Sequence, residues 1–239
     1  MRESVETAVS ISAKALGLDL RRAERSIPLK YKWLRNLDIK TVVDVGANKG
    51  QFAKTARMLF PNAEILSFEP IRSCFLVLES ELKADPRFHS FNFGLGDEER
   101  EILIHVYVQD ASSSFLEGTA LLAANFPLAV PKRGELAIIK RLDDIAPRLD
   151  LRERSLLKVD VQGYEMKVLR GGASMLRGFE IILIETSFSE LYVGQPLFAE
   201  IYQYLSENGF RYTGNVGQML SPLDGTILQE DSVFRREAT

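Results

Sequence analysis

Residues 41–50 read TVVDVGANKG. The β-branched run predicts a buried strand over Thr41–Val45. The glycines after it predict a tight turn into a helix that extends from about Gly50 to Phe60. A strand, a glycine-containing turn and a helix in this order are typical of the first unit of a doubly wound α/β sheet, in which a nucleotide-like ligand lies close to the turn.

Short apolar runs alternate with helical stretches along the rest of the chain. Further strands are predicted over Ile65–Glu69, Phe88–Gly94, Leu156–Val161 and Ile181–Glu185, with helices between them. Ile102–Val108 alternates like an inserted antiparallel strand, and Phe210–Leu220 with Thr226–Phe234 form a predicted closing pair. This alternation predicts an α/β fold with a doubly wound, mostly parallel sheet.

Two regions do not follow the alternation. Residues 1–38 are predicted to be an N-terminal helical extension without chemistry, because Val5, Val9 and Leu16 recur at near-helical spacing among charged residues. Residues 39–239 then form one domain. The segment from Ser112 to Gly134 is predicted to be a long irregular loop, either a wall of the substrate site or a solvated loop.

Composition excludes several classes of protein. The 239 residues contain 33 acidic and 30 basic side chains, and no run of Lys and Arg alternates with aromatic residues, so we expect no nucleic-acid partner. The single cysteine, Cys74, excludes an intrachain disulfide. No stretch approaches the roughly 20 apolar residues of a membrane span, and no signal peptide is evident, so we expect a cytoplasmic protein.

The turn after the first strand favours one class of cofactor. Asn48 stands where a dinucleotide fingerprint has its second glycine, which weakens the case for a bound pyrophosphate. S-adenosylmethionine has no phosphate, and Asp44 could hold its ammonium group directly or through water. Glu69 ends the second predicted strand, where an acidic residue hydrogen-bonds ribose hydroxyls in NAD and S-adenosylmethionine sites alike.

Four acidic residues, Asp44, Glu69, Asp160 and Glu185, fall at the ends of four predicted strands. The carboxyl ends of parallel strands share one edge, so these groups indicate a cationic ligand, a metal or proton transfer. Asp160 is the first candidate for a general base, with Glu185 and His105 behind it. Helix capping and solvent exposure are the alternatives, and a Mg²⁺ ion would lack further oxygen ligands here, so we assign no metal.

Several motifs together resemble one family. They are VDVGANKG at 43–50, FEP at 68–70, SSF at 113–115, RLDD at 141–144, LKVDVQGYE at 157–165 and VLRGG at 168–172. Across roughly residues 39–235 the chain resembles the FkbM methyltransferases. The block at 157–172 is specific to that family, whereas the first motif is shared by many methyltransferases. Gln162 departs from the pattern, because the family commonly has Glu there.

The resemblance implies a seven-stranded, class I (Rossmann-like) methyltransferase fold over residues 39–239, with S-adenosylmethionine as methyl donor. It implies O-methylation of a hydroxyl on a small-molecule or glycan acceptor, such as a sugar, glycolipid or natural product, and is compatible with a homo-oligomer. The residues expected to bind the cofactor are Asp44, Gly46, Ala47, Asn48, Gly50, Phe52, Glu69 and Pro70; those expected to act in catalysis are Asp160, Glu185 and His105.

Two other functions stay open on the sequence. A nicotinamide-dependent oxidoreductase on a related sheet is disfavoured by Asn48 and by the lack of a Tyr-x-x-x-Lys or His site. A catalytically degenerate methyltransferase fold that only binds ligands is supported by Gln162 alone.

Overall fold

The computed structural model describes residues 27–108, 110–149 and 154–237. The helical prediction for the first 26 residues lies outside the described residues. Within the described ranges, the helices fall short of the length and apolar character that a bilayer crossing requires.

The described residues form ten strands and six α-helices. The strands are β1 Thr41–Val45, β2 Glu64–Phe68, β3 Phe88–Phe91, β4 Gly94–Leu95, β5 Arg100–Tyr107, β6 Pro131–Lys140, β7 Ser155–Val159, β8 Phe179–Ser187, β9 Phe210–Leu220 and β10 Ile227–Arg236. The helices are α1 Gln51–Leu59, α2 Arg72–Leu82, α3 Ala120–Asn125, α4 Leu142–Ile145, α5 Glu165–Gly171 and α6 Phe198–Glu207. Short 3-10 helices cover Leu29–Asn36, Asp110–Ser112, Ala146–Arg148 and Leu176–Gly178.

Seven strands form one sheet in the order β3-β2-β1-β7-β8-β10-β9. Strand β1 pairs in parallel with β2 on one side and β7 on the other, whereas β10 runs antiparallel to both β8 and β9. The chain therefore moves outward from β1 to β3 and then returns to the far side of β1 at β7. This topology confirms the doubly wound, mostly parallel seven-stranded sheet.

Both faces of the sheet are covered, which explains the continuous apolar runs of the central strands. On one face Val43 and Leu157 belong to a core cluster that includes Val168 of α5 and Leu205 of α6. On the other face Val42 belongs to a second cluster that includes residues of α1 and α2. Leu34, in the 3-10 helix before β1, is fully buried in this second cluster, so the described end of the predicted extension packs against the sheet.

The region from Ser112 to Gly134 is more ordered than the sequence predicted. Thr119 caps α3 by accepting a hydrogen bond from the backbone of Leu122 at 3.3 Å, and β6 begins at Pro131 and pairs antiparallel with β5. Together with β4 these strands form a second, three-stranded sheet. The prediction of a wholly irregular loop was wrong, because Pro131 and Gly134 gave the start of β6 the composition of a turn.

Candidate functional site

A cavity of about 670 Å³ lies at the carboxyl ends of the parallel strands. Its wall includes the turn after β1, the residue that follows β2, the residues that follow β7, and Glu185 near the end of β8. The strand order reverses between β1 and β7, and open α/β sheets bind their ligands in the crevice at such a point. The volume lies within the range of small-molecule and cofactor sites.

The turn after β1 forms one side of the cavity. Gly46, Ala47 and Asn48 line it, and Gly46 and Asn48 both have positive φ, 78° and 50°. A Cβ atom on Gly46 would lie 1.9 Å from the carbonyl oxygen of Asp160. The glycine is therefore required by the neighbouring backbone. Gly50 does not line the cavity; its α-carbon faces Leu78 of α2.

Glu69 follows β2 and is held by two backbone amides. Its Oε2 accepts a hydrogen bond from the amide of Asn48 at 2.7 Å, and its Oε1 accepts one from the amide of Ile71 at 2.8 Å. The side chain is only 4% exposed but lines the cavity, as Phe52 and Pro70 do. A carboxylate fixed in this way can accept further hydrogen bonds from a ligand's hydroxyl groups.

Asp44 is placed differently from the sequence expectation. It lies within β1, is fully buried and does not line the cavity. Its Oδ2 accepts a long hydrogen bond of 3.5 Å from Ser67, and its Oδ1 lies 3.9 Å from Nζ of Lys158. Burial raises the pKa of Asp44 to about 6, against the attraction of the Lys158 ammonium group. The geometry gives Asp44 contact with Lys158 and no direct contact with a ligand.

Lys158 links this buried aspartate to the cavity wall. Its ammonium group lies 3.1 Å from Oδ2 of Asp160 and 5.6 Å from the ring centroid of Phe52, and its side chain is 13% exposed. Burial lowers the pKa of Lys158, but the carboxylates of Asp160 and Asp44 outweigh burial and raise it above its usual value. Lys158 therefore stays charged.

Asp160 and Glu185 meet at the cavity through the side chain of Gln162. The amide nitrogen of Gln162 lies 2.9 Å from Oδ1 of Asp160 and 2.7 Å from Oε2 of Glu185. Burial raises the pKa of Asp160, but the charge of Lys158 and the hydrogen bonds from Gln162 and Lys158 hold it below its ordinary value. Burial and repulsion from Asp160 raise the pKa of Glu185 well above its ordinary value. The two carboxyl groups therefore differ in charge at neutral pH.

Glu165 supports the loop between β7 and α5 from below. It is 4% exposed, and its Oε1 accepts hydrogen bonds from the backbone amides of Val161 and Gly163 at 3.2 and 3.1 Å. Burial raises the pKa of Glu165 to about 7, although these backbone hydrogen bonds lower it. Its contacts hold the Gln162 loop in place.

His105 is not brought to the carboxylates. Ile104 and Val106 point into an apolar cluster, and Ile104 lines the cavity. Because successive side chains of a strand point to opposite faces, the His105 side chain lies on the other face of β5. The described geometry gives His105 no position from which it could act on a ligand in the cavity.

Several cavity residues were not anticipated from the sequence. Lys30 and Tyr31 come from the region predicted to carry no chemistry, and Tyr192, Gln229 and Asp231 lie far along the chain. Lys30 pairs with Asp231 at 2.8 Å. Only Lys158 had a sequence signal, because it stands two residues before Asp160 on the same strand.

The arrangement shows no built metal site. Across the described ranges, His, Cys, Asp and Glu side chains do not gather in groups of three or more that could hold a metal ion. Between Asp160 and Glu185 stands the N–H-bearing end of Gln162, which repels a cation. What the wall offers is carboxylates in excess of ammonium groups, which favours a positively charged organic ligand.

Comparisons with known proteins agree with this chemistry. Residues 44–212 match the family model of the methyltransferase FkbM domain. The chain is 31% identical over 185 residues to Methyltransferase 1 of Beauveria bassiana, covering 72% of this chain and 73% of that protein. It is 28% identical over 172 residues to the 2-O-methyltransferase NoeI of Sinorhizobium fredii, covering 66% of this chain and 68% of that protein.

Solved structures resemble the chain less closely. Fibrillarin of Aeropyrum pernix, solved with natively bound S-adenosyl-L-methionine, is 15% identical with a TM-score of 0.44, covering 87% of this chain and 70% of that one. This similarity is too low to support a conclusion about function.

Proposed function

Because the chain belongs to the FkbM methyltransferase family, we propose that it transfers a methyl group from S-adenosylmethionine to a hydroxyl group of a sugar, glycolipid or other natural product. The observation that carries this proposal is the cavity at the switch point of the sheet, with Glu69 fixed on one side and the Asp160–Gln162–Glu185 group on the other.

The residues present fit the proposed cofactor. Glu69 offers a fixed carboxylate to the two ribose hydroxyls, and Gly46, Ala47 and Asn48 present bare or small surface beside it. The buried Oδ1 of Asp44 makes no hydrogen bond within the described residues and lies below Lys158. The excess of carboxylates on the wall suits a ligand with a sulfonium and an ammonium group.

The opposite part of the cavity supports a polar acceptor. Gln162, Tyr192 and Gln229 add amide and hydroxyl groups to the carboxylates there. A wall with many hydrogen-bonding groups suits an acceptor with several hydroxyls, because each buried polar group of the acceptor then finds a partner. NoeI is named for methyl transfer to a 2-oxygen, which motivates a sugar as the first acceptor to test.

The bound cofactor supplies an electrophilic methyl group on its sulfonium sulfur. The chain's part is to hold the acceptor hydroxyl in line with that methyl group and to take the hydroxyl proton. Holding two reactants in near-attack geometry can lower the barrier by roughly 7–11 kcal/mol. Asp160 is the base of this proposal, because Lys158 keeps it ionised while a raised pKa leaves Glu185 protonated.

Radiolabelled S-adenosylmethionine and a panel of sugars, glycolipids and polyketide-like acceptors test the proposal. We expect label transfer to at least one hydroxyl-bearing acceptor. We also expect Asp160→Asn to bind S-adenosylhomocysteine normally while turnover falls by about 10²–10⁴-fold, the usual contribution of a general base.

Surface Asp224→Asn, in the exposed β9–β10 turn, is the matched control and should keep full turnover. Wild-type turnover by Asp160→Asn would remove Asp160 as the base. Tight cofactor binding without transfer to any acceptor would favour a binding protein over an enzyme.

A further inference from the structure

Gln162 holds a position that the backbone does not favour by itself. Its φ is 53°, in the left-handed region that side chains other than glycine and asparagine rarely adopt. The carbonyl of the same residue accepts a hydrogen bond from Oγ of Ser114 at 2.6 Å. The loop is thus held at both the backbone and the side chain of Gln162, which aims its amide at the cavity wall.

The hydrogen bonds fix which end of the amide faces the carboxylates. The hydroxyl of Tyr192 lies 3.0 Å from Oε1 of Gln162, which leaves the two N–H groups for Asp160 and Glu185. A reversed amide would place its oxygen within 3 Å of two carboxyl oxygens, and at most one of these contacts could then hold a proton. The N–H groups therefore face the two acids.

Other charged groups face the same pair from every side. Glu185 is approached by Asp160 and Lys158 from the β7 edge, by Glu165 at the start of α5 and by Asp231 on the neighbouring strand β10. Gln229 donates a second amide hydrogen bond to Oε2 of Glu185 at 2.9 Å. Carboxyl groups outnumber the single ammonium group here, so a further negative charge at position 162 would be strongly unfavourable.

We infer that Gln162 is the positioning residue of the methyl-transfer site: its two amide N–H groups separate Asp160 from Glu185 and hold the Asp160 carboxylate ionised and oriented to accept the hydroxyl proton. This inference rests on the proposed function. It gives a physical role to the residue at which the chain departs from the common pattern of its family, because a glutamate would offer a third carboxylate in place of two donors.

Two substitutions separate charge from hydrogen bonding. Gln162→Glu adds a like charge beside Asp160, and Gln162→Met keeps a similar shape while removing both donors. Each change raises the pKa of Asp160, because one adds repulsion and the other removes hydrogen bonds to the charged form. The acid limb of the pH dependence of kcat/KM should move to higher pH by about one unit or more in Gln162→Glu and by less in Gln162→Met.

At pH 7 the Gln162→Glu change should lower turnover about tenfold, with recovery toward pH 9. Gln203→Glu on the exposed side of α6 is the matched control, because it makes the same chemical change away from the cavity, and its profile should stay that of the wild type. A merely structural role for Gln162 would lower kcat at every pH without moving the limb.

A second measurement does not depend on activity. The ¹³C carboxyl resonance of Asp160 is titrated in wild type and both variants with S-adenosylhomocysteine added, and binding of that ligand is measured by calorimetry. Higher titration midpoints for Asp160 in both variants support the inference, whether or not an acceptor has been found. Unchanged midpoints in folded variants overturn it. Absence of ligand binding by the wild type would instead count against the proposed function.

Discussion

Burial of Glu165 makes the stability of the protein depend on pH in a predictable direction. The folded pKa of this group is raised from 4.5 to about 7. A carboxyl group with a raised pKa stabilises the folded state fully below its unfolded pKa, and that contribution is lost as the pH rises through the folded pKa. The shift corresponds to about 3 kcal/mol, most of it lost between pH 5 and 8.

The substitution Glu165→Gln removes the titration but keeps a side-chain oxygen for the amides of Val161 and Gly163. We expect the free energy of unfolding of the wild type to fall between pH 5 and 8, and that of the variant to fall by about 3 kcal/mol less. Urea unfolding at both pH values, followed by circular dichroism, measures this difference. Asp44, with a folded pKa of about 6, adds a loss in the same direction in both proteins.

The matched control is Glu79→Gln, which makes the same change at an exposed position on α2. Its stability should follow the wild type at both pH values. If Glu165→Gln loses as much stability as the wild type between pH 5 and 8, the reasoning from burial is refuted.

Three further substitutions test the packing that positions the cavity, each by urea unfolding. Gly46→Ala should cost more than about 3 kcal/mol, because its Cβ would lie 1.9 Å from the Asp160 carbonyl oxygen at a φ of 78°; a stable variant would contradict this. Gly171→Ala should cost at least about 2 kcal/mol, since its Cβ would lie 1.7 Å from the carbonyl oxygen of Gly96; unchanged stability would show that the α5 contact yields easily. Arg57→Lys should cost roughly 2 kcal/mol, because an ammonium group cannot keep the guanidinium's hydrogen bonds to four backbone carbonyls; wild-type stability would show that they contribute little.

The central strands were predictable because they are buried on both faces. Val42 and Val43 point to opposite core clusters, so β1 had to be apolar at successive positions, and the same holds for Leu156 and Leu157 of β7. Strand β6 was missed because one face of it is exposed and its first residues are typical of a turn. Local sequence could not show that this segment pairs with β5.

The cavity was predictable only in part, for a related reason. Glu69 and Asp160 follow strands whose ends must share one edge, so their nearness followed from the topology. Asp44 belongs to the same pattern, but its place inside β1 buries it. Tyr31 and Tyr192 reach the cavity through packing between distant segments, which no local motif records.

The proposal that the cavity holds S-adenosylmethionine through Glu69 is tested most directly by calorimetric titration of S-adenosylhomocysteine into wild type and Glu69→Ala, with circular dichroism to show that both are folded. The account predicts one binding site in the wild type and an affinity at least about tenfold weaker in the variant, a difference of roughly 1.4 kcal/mol. Folded wild type that gives no binding signal, or equal affinities in the two proteins, would contradict it.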